Sequence, residues 1–86
     1  MRYDNAPMTV TELEARLKAA FPDGIFLVRD TTGAGDHFSA RIVSARFEGL
    51  GPVDRHRLVY GVLGDAMRRE IHALSLETLT PSENPS

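Results

Sequence analysis

The chain has 86 residues and no cysteine, which fits one small domain and excludes disulfides, thiolate catalysis and an all-cysteine metal site formed by this chain alone. Ten basic and twelve acidic residues leave a net charge of -2, which argues against a protein held mainly by non-specific contacts to phosphate. Hydrophobic residues at 42% and charged residues at 26% exclude a disordered or fibrous chain. No apolar run approaches membrane-spanning length and no signal-type segment follows Met1, so a soluble, cytoplasmic protein is expected.

Residues 1–8, with Asn5-Ala6-Pro7, carry no periodicity and read as a flexible lead-in. Thr9 and Glu12 have capping-box spacing, and Val10, Leu13, Leu17, Ala20 and Phe21 share one face of an amphipathic helix. Glu12 to Arg16 and Glu14 to Lys18 add (i, i+4) pairs on its wet side. Pro22-Asp23-Gly24 ends that helix, and Ile25-Phe26-Leu27-Val28 is a short strand. The polar stretch Thr31-Thr32-Gly33-Ala34-Gly35-Asp36 has hairpin length. It is not followed by a Lys-Ser/Thr pair or a long helix, which argues against a nucleotide loop. From His37 to Ser44, Phe38, Ala40 and Ile42 alternate with Ser39 and Arg41, as in a strand with one wet face.

Phe47-Glu48-Gly49-Leu50-Gly51 is a turn, and Pro52 suits the first turn of a second helix whose apolar stripe is Val59, Val62, Leu63 and Ala66, with Val53 at its start. Gly61 and Gly64 each cost about 1 kcal/mol relative to Ala inside a helix, so either a close packing contact or a break into two shorter helices is expected. Arg68 and Arg69 suit a helix C-terminus, Ile71-His72-Ala73-Leu74-Ser75-Leu76 is the third strand, and residues 82–86 read as a flexible tail. The domain therefore spans residues 9–81. Its α-β-β-α-α-β order implies an α+β fold, with a three-stranded mixed sheet and helices packed on one face.

Three segments, Asp36-His37-Phe38, Phe47-Glu48-Gly49 followed by Arg55-His56-Arg57-Leu58-Val59-Tyr60, and Ile71-His72-Ala73-Leu74-Ser75-Leu76, together resemble the BolA-like family of stress-response and iron–sulfur adaptor proteins. The likeness runs from about residue 10 to residue 81. It implies a class II KH-like fold and pairing with a monothiol glutaredoxin, with its glutathione, around a bridging [2Fe–2S] cluster. Some bacterial members are described as transcription regulators. The resemblance carries a metal-ligand role onto His72. The family's second ligand, a Cys or His of the hairpin loop, falls here on Ala34, and His37 is the neighbouring imidazole that can stand in for it.

Read from the residues alone, His37 and His72 serve equally as hydrogen-bonding strand-end residues, since isolated histidines are seldom ligands. A [2Fe–2S] cluster needs four ligands and tolerates imidazole on one iron, so this chain holds none by itself and is expected to be a colourless monomer or weak homodimer when isolated. The second functional reading is a DNA-binding regulator. Residues 37–60 carry Arg41, Arg46, Arg55 and Arg57 against Glu48 and Asp54, a surplus of two positive charges, with His56 among them. The bland reading of Arg55, His56 and Arg57 is a structural helix start, with Asp54 at the favourable end of the dipole and His56 and Tyr60, four apart, placed to pack or bond together. A KH-type RNA clamp needs a Gly-x-x-Gly loop, and Gly61-Val62-Leu63-Gly64 has that spacing inside a helix. No nucleophile and base pair stands out, so no enzyme activity is expected.

Overall fold

The capping box forms as the spacing of Thr9 and Glu12 implies. In the computed structural model, which describes residues 8–69, 71 and 73–85, the Thr9 hydroxyl accepts the Glu12 N–H and the Glu12 carboxylate accepts the Thr9 N–H, both at 3.0 Å. Helix α1 (Val10–Ala20) follows and buries Leu13 and Leu17. The predicted lead-in over residues 1–7 lies outside the described residues. Met8, assigned to it for lack of periodicity, is instead a core residue, and its N–H donates to Gly35 O at 3.2 Å.

Strands β1 (Ile25–Asp30), β2 (His37–Val43) and β3 (Ala73–Leu79) form one sheet in the order β1-β2-β3. β1 and β2 are an antiparallel hairpin, while β2 and β3 run parallel, so the sheet is mixed as expected. The period-2 pattern of β2 sets its two faces: Phe38, Ala40 and Ile42 are buried, whereas His37, Ser39 and Arg41 are only half-buried on the other side. Core residues from both layers, among them Leu13, Leu17, Val59, Leu63, Phe38 and Ile42, form one cluster. Each fully buried side chain of this kind contributes roughly 1.5–3 kcal/mol. The third strand starts and ends later than the sequence pattern indicates. Ile71 is a buried core residue ahead of it, and parallel pairing with β2 holds the chain extended through Leu79.

Helix α2 (Pro52–Leu63) has Pro52 in its first turn, and it stops at Gly64, whose φ of 53 and ψ of -123 leave the helical region. The short helix α3 (Ala66–Arg69) then resumes. Of the two explanations offered for the glycines, the break is correct at Gly64. A close contact is not the reason for Gly61, since a Cβ there would meet nothing within 4 Å.

Two long-range ties fix how the elements meet. The Asp23 carboxylate accepts the Ser44 hydroxyl at 2.9 Å and the Ala45 N–H at 2.8 Å, joining the α1–β1 turn to the end of β2. Those hydrogen bonds, the one from Ala45 foremost, hold its carboxyl below the usual range. Beside it the rings of Phe21 and Phe47 sit 5.3 Å apart, with the Arg46 guanidinium 5.1 Å from the Phe21 ring centre and that of Arg55 6.0 Å from the Phe47 ring centre. The 3-10 turn Pro81–Glu83 carries ordered structure past residue 81 into the segment assigned to a flexible tail, where Glu83 is drawn back onto Arg55. No helix among the described residues is long and apolar enough to cross a membrane.

Candidate functional site at the hairpin edge of the sheet

The hairpin loop is built around one carboxylate. Asp30, the last residue of β1, accepts the N–H groups of Thr32 at 3.2 Å and Gly33 at 2.8 Å on one oxygen and that of Gly35 at 2.9 Å on the other. This wrapping requires left-handed backbone at Gly33 (φ 81) and Gly35 (φ 78), which only glycine adopts without strain. Ala34 sits exposed between them and offers a methyl group where a metal ligand would need nitrogen or sulfur. The Thr32 hydroxyl donates to Asp36 Oδ1 at 3.1 Å, and the backbone carbonyl of Asp36 accepts the N–H of Ala73 at 3.3 Å. Asp36 therefore links the loop, the start of β2 and the start of β3.

The same Asp36 oxygen lies 3.0 Å from His37 Nδ1, with the imidazole 44% exposed at the rim. The two atoms are close but not aligned as a hydrogen bond. A carboxylate this near favours the proton on Nδ1 and the lone pair on Nε2, the arrangement that prepares a histidine for metal ligation. In register, His37 pairs with Ala73. The predicted ligand His72 lies outside the described residues. Its chain neighbours are Ile71, whose N–H donates to Ala66 O at 2.9 Å, and Ala73, so the chain enters β3 beside His37.

Among the described residues no three His, Cys, Asp or Glu side chains gather in a way that could hold a metal ion. The chemistry of the donor set at this edge is one imidazole with a carboxylate behind it. It fits a cluster only as one ligand of a set completed by other groups, thiolates above all.

The arginines singled out in the sequence are mostly engaged within the chain. Arg55 donates from Nε to Leu50 O at 2.8 Å and from Nη1 to Thr78 O at 3.1 Å and Glu83 Oε1 at 2.7 Å. Glu83 in turn accepts the Thr80 N–H at 2.8 Å, and these bonds, that from Arg55 first, lower its pKa to about 2. Arg46 donates to Ala20 O at 2.6 Å, and Arg41 Nε donates to Glu77 Oε1 at 2.7 Å. The structural reading of the helix start thus fits Arg55, whose guanidinium ties α2 to the end of β3. Arg57 is exposed, His56 is half-buried, and Val53 and Tyr60 are exposed on the same helix at 64% and 39%. Sequence reasoning missed Glu83 and Asp23. The Thr80-Pro81-Ser82-Glu83 spacing, a second capping box, is the signal that was present for Glu83.

Comparison with known proteins places this geometry in context. The family profile described as BolA-like protein matches residues 13–83. An uncharacterized protein of Rickettsia prowazekii is 32% identical over 73 residues, covering 85% of this chain and 95% of its own length. BolA-like protein 1 of Bos taurus is 45% identical over 56 residues, which are 62% of this chain and 42% of that one. The DNA-binding transcriptional regulator BolA of Vibrio cholerae is 49% identical over 51 residues, 59% of this chain and 48% of its own. The chain thus spans under half the length of two of these relatives. Among solved structures, BolA1 from Arabidopsis thaliana superposes with a TM-score of 0.80 at 31% identity, covering 90% of this chain and 96% of that one.

Proposed function

The chain belongs to the BolA-like family, and from that premise we propose that it is a cytoplasmic, non-enzymatic adaptor in iron–sulfur cluster trafficking that pairs with a monothiol glutaredoxin. The two proteins would share a [2Fe–2S] cluster to which this chain brings histidine nitrogen and the partner, with glutathione, brings thiolate. The observation that carries this reading is the edge where β2 and β3 begin side by side. There His37 stands half-exposed with Asp36 Oδ1 at 3.0 Å from its Nδ1. His72, carried over from the family's Ile-His-Ala segment, is the principal ligand of the proposal, and His37 replaces the loop ligand that Ala34 lacks.

The roles of this chain's own groups follow from their chemistry. Asp36, with its carboxylate 3.0 Å from Nδ1, favours the tautomer that leaves Nε2 of His37 for the metal. The parallel pairing of β2 with β3 holds the two segments in register, and the loop wound on Asp30 keeps the rim fixed. When bound, the cluster supplies electron-accepting iron whose potential rises with imidazole ligation.

The test is the visible absorption of the complex with the host's monothiol glutaredoxin, purified with glutathione. His72→Ala is expected to shorten the cluster lifetime sharply, and Asp36→Asn to shorten it less, with a loss of roughly ten- to hundred-fold in cluster affinity. A His72→Ala complex with unchanged spectrum and lifetime would overturn the assignment.

A second reading, DNA binding, is favoured by the exposed Arg57 on α2 and by the name of the Vibrio cholerae relative. Arg41, Arg46 and Arg55, three of the four arginines over residues 37–60, are each bonded within the chain. DNA binding should be weak and lost at moderate salt. Tight, sequence-specific binding at physiological salt would favour the regulator instead.

A further inference from the structure

The face of the sheet opposite the helices carries a groove of about 300 Å³ lined by Leu27, Arg29, Ser39, Arg41, Ser75 and Glu77. The register explains its composition. Arg29 pairs with Ser39 and Ser39 with Ser75, so a guanidinium and two hydroxyls form one row across three strands. Neighbouring strands lie about 4.8 Å apart, which brings all three groups within reach of one small ligand. The next row is Leu27, Arg41 and Glu77, where Arg41 Nε donates to Glu77 Oε1 at 2.7 Å. Arg41 is therefore neutralised. Arg29 has no ion pair among the described residues and is exposed beside the groove. Leu27, 48% exposed, and Ile25, 62% exposed, continue the same face as an apolar wall along β1.

The charges of the groove sum to one uncompensated positive, placed at one end of a row of hydroxyl donors and next to an apolar strip. We propose that this groove binds a small organic monoanion, a carboxylate with a short apolar body. The carboxylate lies on Arg29, Ser39 and Ser75, and the body lies over Leu27 toward Ile25. Arg29 supplies charge and paired N–H donors, the two serines supply neutral donors, and the Arg41–Glu77 pair closes the far side without adding net charge. The site rests on side chains that the cluster proposal does not use, so it stands or falls separately.

The experiment is an amide-resolved NMR titration of the full chain with sodium hexanoate at constant ionic strength, with hexanamide as the uncharged control. Saturable shifts are expected at the amides of Arg29, Ser39 and Ser75 with hexanoate and not with hexanamide. Arg29→Gln, an exposed change on an edge strand, is expected to weaken binding by about ten-fold or more, since a charge-assisted hydrogen bond is lost. Ser39→Ala should weaken it by less. Inorganic phosphate should compete less well than hexanoate because it makes no use of Leu27. Shifts that hexanamide reproduces, binding that Arg29→Gln leaves unchanged, equal competition by phosphate, or the absence of saturation would each overturn the assignment.

Discussion

Gly61 and Gly64 lie three residues apart in the same helix pair, yet replacing each with alanine should move stability in opposite directions. Gly61 lies within α2, its φ is not positive, and a Cβ there would meet nothing within 4 Å. Alanine at that position keeps every contact and reduces the backbone freedom of the unfolded chain. In a helix interior the gain is about 1 kcal/mol, and near the last turn it is roughly half to all of that. For a domain of this size the corresponding rise in Tm is about 2–8 °C. Gly64 has φ 53 and ψ -123, and its N–H closes the helix on Tyr60 O at 2.9 Å. Alanine there forces a side chain into backbone space that L residues rarely adopt, at a cost of about 1–3 kcal/mol. Thermal unfolding followed by far-ultraviolet circular dichroism reads both. A Gly61→Ala protein no more stable than the parent, or a Gly64→Ala protein that loses nothing, would refute the division of labour between the two glycines.

Other outcomes follow from the same geometry. Gly24→Ala should cost about 1–3 kcal/mol in denaturant unfolding through overpacking, because its Cβ would lie 2.5 Å from Phe26 Cζ and 2.9 Å from the Phe21 carbonyl oxygen. Glu83 has a folded pKa of about 2 against an ordinary value of 4.5. Its contribution to stability is therefore complete above the ordinary value and lost as pH falls through the folded one. Glu83→Gln should flatten that acid limb in a series of melts, and a limb unchanged from the parent would count against the Arg55–Glu83 tie. In the glutaredoxin complex, Ala34→Cys should add thiolate ligation and lower the reduction potential measured by redox titration. An unshifted potential would place the loop outside the ligand set.

The elements legible in the sequence are those whose signals are local. Thr9 and Glu12 satisfy each other within one turn, and Phe38, Ala40 and Ile42 alternate with polar neighbours because β2 is the central strand with one covered face. Pro52 marks a helix start by its own ring geometry, and Gly64 marks a break by its φ. What sequence reading missed depends on partners far along the chain. Arg55 reads as surface in its own charged cluster, and only the return of Glu83, 28 positions later, makes it a tie. Met8 lacks a periodic neighbour but is captured by the hairpin loop and the core. For the candidate site, the family motif points to His72 and the neighbouring imidazole to His37. The proximity of Asp36 to His37 follows from the turn geometry of the loop, which the run of Thr, Gly and Asp does not specify by composition.

The most direct test of the cluster-sharing proposal is size-exclusion chromatography, with visible absorbance recorded in line, of this chain mixed with the host's monothiol glutaredoxin, glutathione, iron and a sulfide source. The expected result is a coloured one-to-one heterodimer, with the isolated chain colourless under the same conditions and the colour of the heterodimer lost far faster after His72→Ala. A glutaredoxin that retains its cluster as a separate coloured peak while this chain elutes alone would contradict the proposal.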